Sequence, residues 1–344
     1  MASLVFLIGN GFDLNCGLKS RYKDAYEYYL SKTVNDSETI QNFKKDLSAN
    51  HENWSDFEIG ISNYAQKLSN ENELIECLRD FRKSLKEYLT IEESKFYDLI
   101  NSTDGLINEL NSETDNSIKT FYEGISNNIS NNIRNIDIID YITFNYTSIL
   151  DNLTYYKVPR TGERSKYKLG CISNNVIHVH ASCHNNTPVL GVDRIEQLTV
   201  SYSLTNRGKR TLIKPTFNSE VDKSRIESAK ERIDNADYIC AFGLSLGFSD
   251  LTWREKLISW LESTNWHQLF IYDYSVYDEI ELEDDERLDM EEELKYKLFL
   301  DWGIETSSKL WNQIHMPCGN KIFNYKEVID EYLHKKEIHA TQGI

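Results

Sequence analysis

Proline is scarce in this chain, with four in 344 residues and none between residues 31 and 135. With only fifteen glycines besides, that scarcity excludes a long flexible linker. Positive charge is short as well. There are 38 Lys and Arg against 55 Asp and Glu, a net charge of -17, which disfavours non-specific nucleic-acid binding because counterion release needs clustered cations. The six cysteines (Cys16, Cys77, Cys171, Cys183, Cys240, Cys318) contain no CxxC pair; this fits reduced thiols in a cytoplasm and excludes a disulfide framework. No apolar run approaches the roughly 18 residues of a membrane span. No basic segment precedes the first apolar run, so neither a membrane anchor nor a signal peptide is expected.

What is present is a 40% hydrophobic chain, enough for the core of one large domain or two modest ones. Leu4-Val-Phe-Leu-Ile8 reads as a buried strand that ends in Gly9-Asn10-Gly11-Phe12-Asp13, with a third glycine at Gly17. Glycines there let the backbone approach a pyrophosphate, but the spacing to the third is too long for the dehydrogenase fingerprint. Ser20 is the expected cap of a following helix, which places Tyr22, Ala25, Tyr26, Tyr29 and Leu30 on one face. Residues 31–135 turn polar, with helical spacing in Leu74, Leu78, Phe81, Leu85 and Leu89, and residues 126–135 read as a polar helix or loop. Further strands are expected at 138–144, 176–180, 238–242 and 269–272. An acidic run from Asp278 to Glu293 reads as a solvated helix face or surface excursion, and Tyr325 to Leu333 as a terminal helix.

The predicted class is therefore α/β, a mainly parallel Rossmann-like sheet with a helical insertion after the first strand-helix unit. The expected division is residues 1–30 and 136–344 for the nucleotide-binding domain and 31–135 for the insertion. Functional residues on such a sheet lie beyond the carboxyl ends of its strands. Four of those ends carry distinctive polar groups: Gly9 to Asp13, Asn145 with Thr147, His178 with His180, and Gly243-Leu-Ser245-Leu-Gly-Phe-Ser249-Asp250.

Ile8-Gly-Asn-Gly-Phe-Asp-Leu14 with Gly17 to Asp24 resembles the opening motif of the AbiH abortive-infection family of bacterial antiphage proteins. Phe144-Asn-Tyr-Thr147, the histidine strand, Leu190-Gly-Val-Asp193 and Gly243 to Asp250 resemble its later blocks in order, over residues 4 to about 255. The family in turn is similar to sirtuin-like NAD-binding enzymes. That resemblance implies a sirtuin-like sheet and NAD as substrate or ligand; no metal is expected, because no strong ligand spacing is present. It aligns Asn145 with the asparagine that orders the nicotinamide ribose and the reacting water, and His180 with the catalytic histidine. Ala181 follows where glycine is usual, and Leu244 stands where the AbiH motif commonly has histidine.

Read on their own, the residues leave choices open. His180 suits proton handling near neutral pH or is a core histidine bonded to backbone. Asp13 accepts from a ribose hydroxyl or caps its own loop. Ser245, Ser249 and Asp250 meet a ribose or phosphate, or form a strand-to-helix turn with Asp250 at the cap. Gly243-Leu-Ser-Leu-Gly247 also fits the string of a hydrolase nucleophile elbow. His178, His180, Cys183 and His184 form a zinc-capable group without a strong spacing, and Arg207, Lys209, Arg210 and Lys214 form a basic cluster for phosphate, a partner or solvent. Together with the family resemblance, which implies an antiphage role and NAD chemistry, the expected function is a cytoplasmic antiphage effector that binds, and hydrolyses at the N-glycosidic bond, NAD or a related nucleotide. Pyrophosphate is expected on the Gly9 and Gly11 amides, and Gly9, Asn10, Gly11, Phe12, Asp13, Gly243, Ser245, Ser249 and Asp250 around the ligand. The other readings are a nucleotide-sensing module that recruits a partner and a nuclease-like toxin. A phage-derived trigger and a homo-oligomer are left open.

Overall fold

In the computed structural model, which describes residues 2–32, 36–50, 56–128, 136–155, 171–172, 176–184, 187–198, 200–273, 283–318 and 322–342, the apolar runs pair into one parallel sheet. Its strands are β1 (Ala2–Ile8), β2 (Ile136–Thr143), β3 (Cys171–Ile172), β4 (Ile177–His178), β5 (Tyr238–Phe242), β6 (Gln268–Tyr272) and β7 (Ile314–His315). The order is β3-β2-β1-β5-β6-β7, with β4 also on β2. Every pairing is parallel. The chain thus forms the α/β fold that its strand pattern predicts.

Alternation along β1 explains why both faces are covered. Leu4, Phe6 and Ile8 pack with α6 (Leu106–Asn128), α7 (Ile149–Tyr155) and α13 (Tyr325–Gln342). Val5 and Leu7 face the opposite layer, α10 (Lys223–Asp234), α11 (Leu251–Ser263) and α12 (Asp284–Trp302). A third core holds α2 (Tyr22–Ser31), α3 (Glu38–Ala49), α4 (Phe57–Ala65) and the first half of α5 (Glu71–Ser102), where Leu74, Leu78, Phe81, Leu85 and Leu89 are all buried. By packing, α2 sides with this helical body and α6 with the sheet.

Several local expectations change. A short helix α1 (Asn10–Asn15) starts directly after Gly9. Ser20 does not cap α2; its hydroxyl donates to Asn10 Oδ1 at 2.6 Å. The strand at 176–180 stops at His178, because Ala181 sits at φ +66 and turns the chain away from β2. Edge strands β3 and β7 are two residues each, too short for a periodic signal. The basic cluster falls on two unforeseen helices, α8 (Asn206–Leu212) and α9 (Lys214–Val221). Residues 129–135 and 278–282, parts of two predicted segments, lie outside the described residues, and 284–293 belong to α12.

Register gathers the motifs. Ile8 pairs with Thr143 and Phe242, Thr143 with His178, and Phe242 with Tyr272, so the loops after β1, β2, β4, β5 and β6 leave from one edge. The first and fourth of these touch through backbone. Gly9 N–H donates to Phe242 O at 2.9 Å and Gly11 N–H to Gly243 O at 3.0 Å. A Cβ on Gly243, already at φ +60, would stand 2.5 Å from Gly11 Cα.

Gly243→Ala should therefore cost on the order of 2–4 kcal/mol, from left-handed strain plus overpacking. A thermal unfolding midpoint several degrees below wild type is the expected result; an unchanged midpoint would remove the close approach from the account.

Candidate functional site

Strand order reverses between β1 and β5, since β2 to β4 lie on one side of β1 and β6 and β7 beyond β5. Open parallel sheets take ligands in the crevice at such a switch point. A cavity of about 550 Å³ opens there, within the ordinary range for a small-molecule site. Asn10, Gly11, Asp13, Asn145, His180, Gly243, Ser245, Ser249 and Asp250 all line it. The structure thus brings most of the predicted strand-end residues together; Gly9, Phe12, Thr147 and His178 are not among those lining the cavity.

Asp13 is buried where α1 meets the end of β2. Its carboxyl accepts from Asn145 Nδ2 and from Thr147 Oγ1, each at 2.8 Å. Burial pushes its pKa up to about 7, against the pull of those two donors. Of the two readings of Asp13, neither a loop cap nor an open ribose contact describes this bond set, which fixes Asn145. Asn145 spends an N–H on Asp13 and keeps its amide oxygen for an incoming group.

The second cluster is His180, Asp250 and Lys214. Asp250 Oδ1 stands 3.3 Å from His180 Nε2 and 2.9 Å from Lys214 Nζ, and all three side chains are largely buried. Burial works against the Asp250 charge, but Lys214 and His180 overcome it and hold the carboxyl well below the usual range. Burial lowers His180 and the Lys214 charge lowers it further, so the ring is neutral near pH 7. With Nε2–H directed at the carboxylate, Nδ1 carries the lone pair; it is buried without a partner. Asp250 occupies the N-cap position of α11 but makes no capping bond. Asp193 takes over that task by accepting from Thr252 N–H.

Other candidates lie elsewhere or act otherwise. Phe12 is a core residue, fully buried edge-on against Phe323 and Tyr325. The Gly9 and Gly11 amides are taken by Phe242 and Gly243, so a pyrophosphate cannot rest on them. The zinc-capable group disperses. His178 contacts Asp151 at 2.8 Å and the Asn145 carbonyl at 3.2 Å, and His184 contacts Glu93 at 2.7 Å. Burial pushes the Cys183 thiol up to about 12. Among the described residues no three His, Cys, Asp or Glu gather where a metal ion could sit. In the 243–247 turn the positive φ falls on Gly243 and Leu246, not on Ser245, and His267 and His315 bond to Trp260 O and Gln268; a nucleophile elbow would strain its serine. Of the basic cluster only Lys214 reaches the cavity.

The cavity wall also holds residues outside the predicted site set, among them Asp273 after β6, Lys297 and Asp301 on α12, and three from the helical body. Those three are Tyr22, Asp56 and Glu58, and Glu58 is buried with Tyr22 OH donating to its Oε1 at 3.1 Å. Burial raises Glu58 to about 8 although Lys214 opposes the shift. No motif flags this glutamate; the only local signal is Asp56, whose side chain caps α4 by accepting from Ile59 N–H.

Residues 5–272 match the model of a family described as bacteriophage abortive infection AbiH. No curated protein matches the chain. Among the described residues no helix is long and apolar enough to cross a membrane.

Because burial raises Asp13, the folded chain holds that proton more tightly than the unfolded chain does. Its contribution is favourable at acid pH and is lost as pH rises from the unfolded value near 4 to about 7. Asp13→Asn keeps the shape and removes the charge. Urea unfolding should show this variant gaining a few kcal/mol on wild type between pH 4 and pH 8; parallel profiles would contradict the buried, proton-retaining carboxyl.

Proposed function

On the premise that the chain belongs to the bacteriophage abortive infection AbiH family, we propose that it is an antiphage effector that binds NAD or a related nucleotide and hydrolyses its N-glycosidic bond in the cytoplasm. One observation carries the reading: an oriented amide, Asn145 on Asp13, and an oriented neutral imidazole, His180 on Asp250, line the same cavity at the switch point.

Those are the groups that this reaction needs. As the bond between ribose C1′ and the nicotinamide nitrogen breaks, its electron pair leaves with the base and positive charge develops on the sugar. Water adds at C1′ and gives up a proton. His180 Nδ1 is the acceptor for that proton, with Asp250 holding the tautomer and balancing the imidazolium that results. Asn145 Oδ1 orders the water or a ribose hydroxyl. Ionised Asp13 lies behind Asn145 and stabilises developing positive charge. Loss of the cofactor would then arrest the infected cell.

Purified protein incubated with NAD should release nicotinamide, with or without an added phage lysate as trigger. Tight NAD binding without turnover in both conditions would instead support a sensing module. His180→Ala and Asn145→Ala should each lower the rate by at least 100-fold and abolish protection of cells from phage while the fold is retained; full protection by both would displace the site. His180 is already neutral, so kcat/KM should rise as Asp13 ionises through pH 7. Asp13→Asn should flatten that limb.

A further inference from the structure

Glu58 is a buried carboxyl in the cavity wall that the proposed hydrolysis does not use. One of its oxygens is committed, since Oε1 accepts from Tyr22 OH at 3.1 Å. Its own backbone N–H also donates to the carboxyl, and no cation among the described residues lies within ion-pair distance of either oxygen. The charged groups that face it are Lys214 from α9, Asp56 from the turn before α4 and Asp250 from the turn before α11. Tyr22 and Tyr26 on α2 and Tyr146 after β2 complete its surroundings. Lys214 is already bonded to Asp250, so two carboxylates stand near Glu58 against one compensated cation.

That arrangement selects for a kind of ligand atom. An anion brought to Glu58 would meet Asp56 and Asp250 rather than a free positive charge, so a phosphate is disfavoured at this wall. An amine donor would be served equally by any carboxylate and needs no burial. A carboxyl without a cation, with one oxygen already accepting a hydrogen bond, is most stable with the proton on its other oxygen. In that state it is a donor.

We propose that Glu58 is the specificity-determining group of the cavity, donating a hydrogen bond from Oε2 to a carbonyl oxygen or ring nitrogen on the base of the bound nucleotide. The proposal rests on the nucleotide reading above and adds to it which end of the ligand meets the helical body. The base lies against α4, and the phosphates lie away from it.

The sign of the pH dependence follows. The binding form is neutral, so affinity falls as pH rises past the value near 8 at which burial keeps Glu58 protonated. Asp13, near 7, contributes a separate step that does not involve Glu58.

Calorimetric titrations with NAD, with ADP-ribose, which lacks the nicotinamide, and with nicotinamide mononucleotide, which lacks the adenosine, test it at pH 7.5 and pH 9.5. Wild type should bind NAD at least tenfold more weakly at the higher pH, and the truncated probe that keeps the recognised base should keep that drop. Glu58→Gln, with a permanent N–H donor in place of the acid, should lose the drop. Glu58→Ala should bind tenfold or more weakly at both pH values, with circular dichroism reporting whether it folds. If wild type binds NAD with no change between the two pH values, or if Glu58→Gln keeps the drop, the role of Glu58 is overturned while the nucleotide site stands. If wild type binds none of the three probes, the nucleotide reading fails and takes this role with it.

Discussion

No side chain fits between the loops that end β1 and β5, and the geometry of the site depends on that. Residues more than 230 positions apart are held by two backbone hydrogen bonds, Gly9 to Phe242 and Gly11 to Gly243. The contact sets where α1 begins, hence where Asp13 enters the crevice, and where the 243–250 turn begins, hence where Asp250 meets His180. It also has a chemical consequence. Amides that lock two loops together cannot also cradle a phosphate, so ligand recognition passes to side chains: Asn145, His180, Ser245, Lys214 and the residues of the helical body.

Those side chains are sorted by whether a cation stands beside them. Asp250 has Lys214 within 2.9 Å and stays ionised in spite of burial; Asp13 and Glu58 have no such partner and are raised toward neutrality. Burial, helped by the same Lys214, keeps His180 unprotonated. Two of the acidic residues that line the cavity are thus drawn toward neutrality by burial. The formal -17 of the whole chain says nothing of this, because exposed charges are screened within about 10 Å.

The sheet was legible because its strands are short continuous apolar runs, and β5 falls on the expected 238–242. The strand-end polar residues were legible for the same reason: a parallel sheet collects its carboxyl ends whatever the strand order. The fates of Phe12 and of the Gly9 amides were not. Both depend on what packs across the sheet, Phe323 and Tyr325 from the far end of the chain and Phe242 at the end of β5. Ala181 shows how a motif departure can leave geometry intact. It keeps the left-handed backbone at φ +66 that glycine would favour. Glu58 was invisible, since a glutamate on an amphipathic helix reads as solvated until the opposing loops are in place.

The helical body is not a detached appendage over the crevice, and α5 is the reason. This helix runs for 32 residues, about 48 Å. Its first half is buried in the helical core through Phe81 and Leu85, and Phe96 near its other end is buried in the core beneath the sheet. Between them Glu93, almost wholly buried, accepts from Ser148 N–H and Oγ and contacts His184 Nε2. One continuous helix therefore bonds to the loop after β2 and to the turn after β4 while anchoring the helices that present Tyr22 and Glu58. Moving that wall away from Asn145 and His180 would require either breaking α5 or stripping a buried carboxylate of its donors, a cost of roughly 3 kcal/mol or more. The wall is consequently part of a preformed site, and a ligand that enters must fit the donors and acceptors already set there.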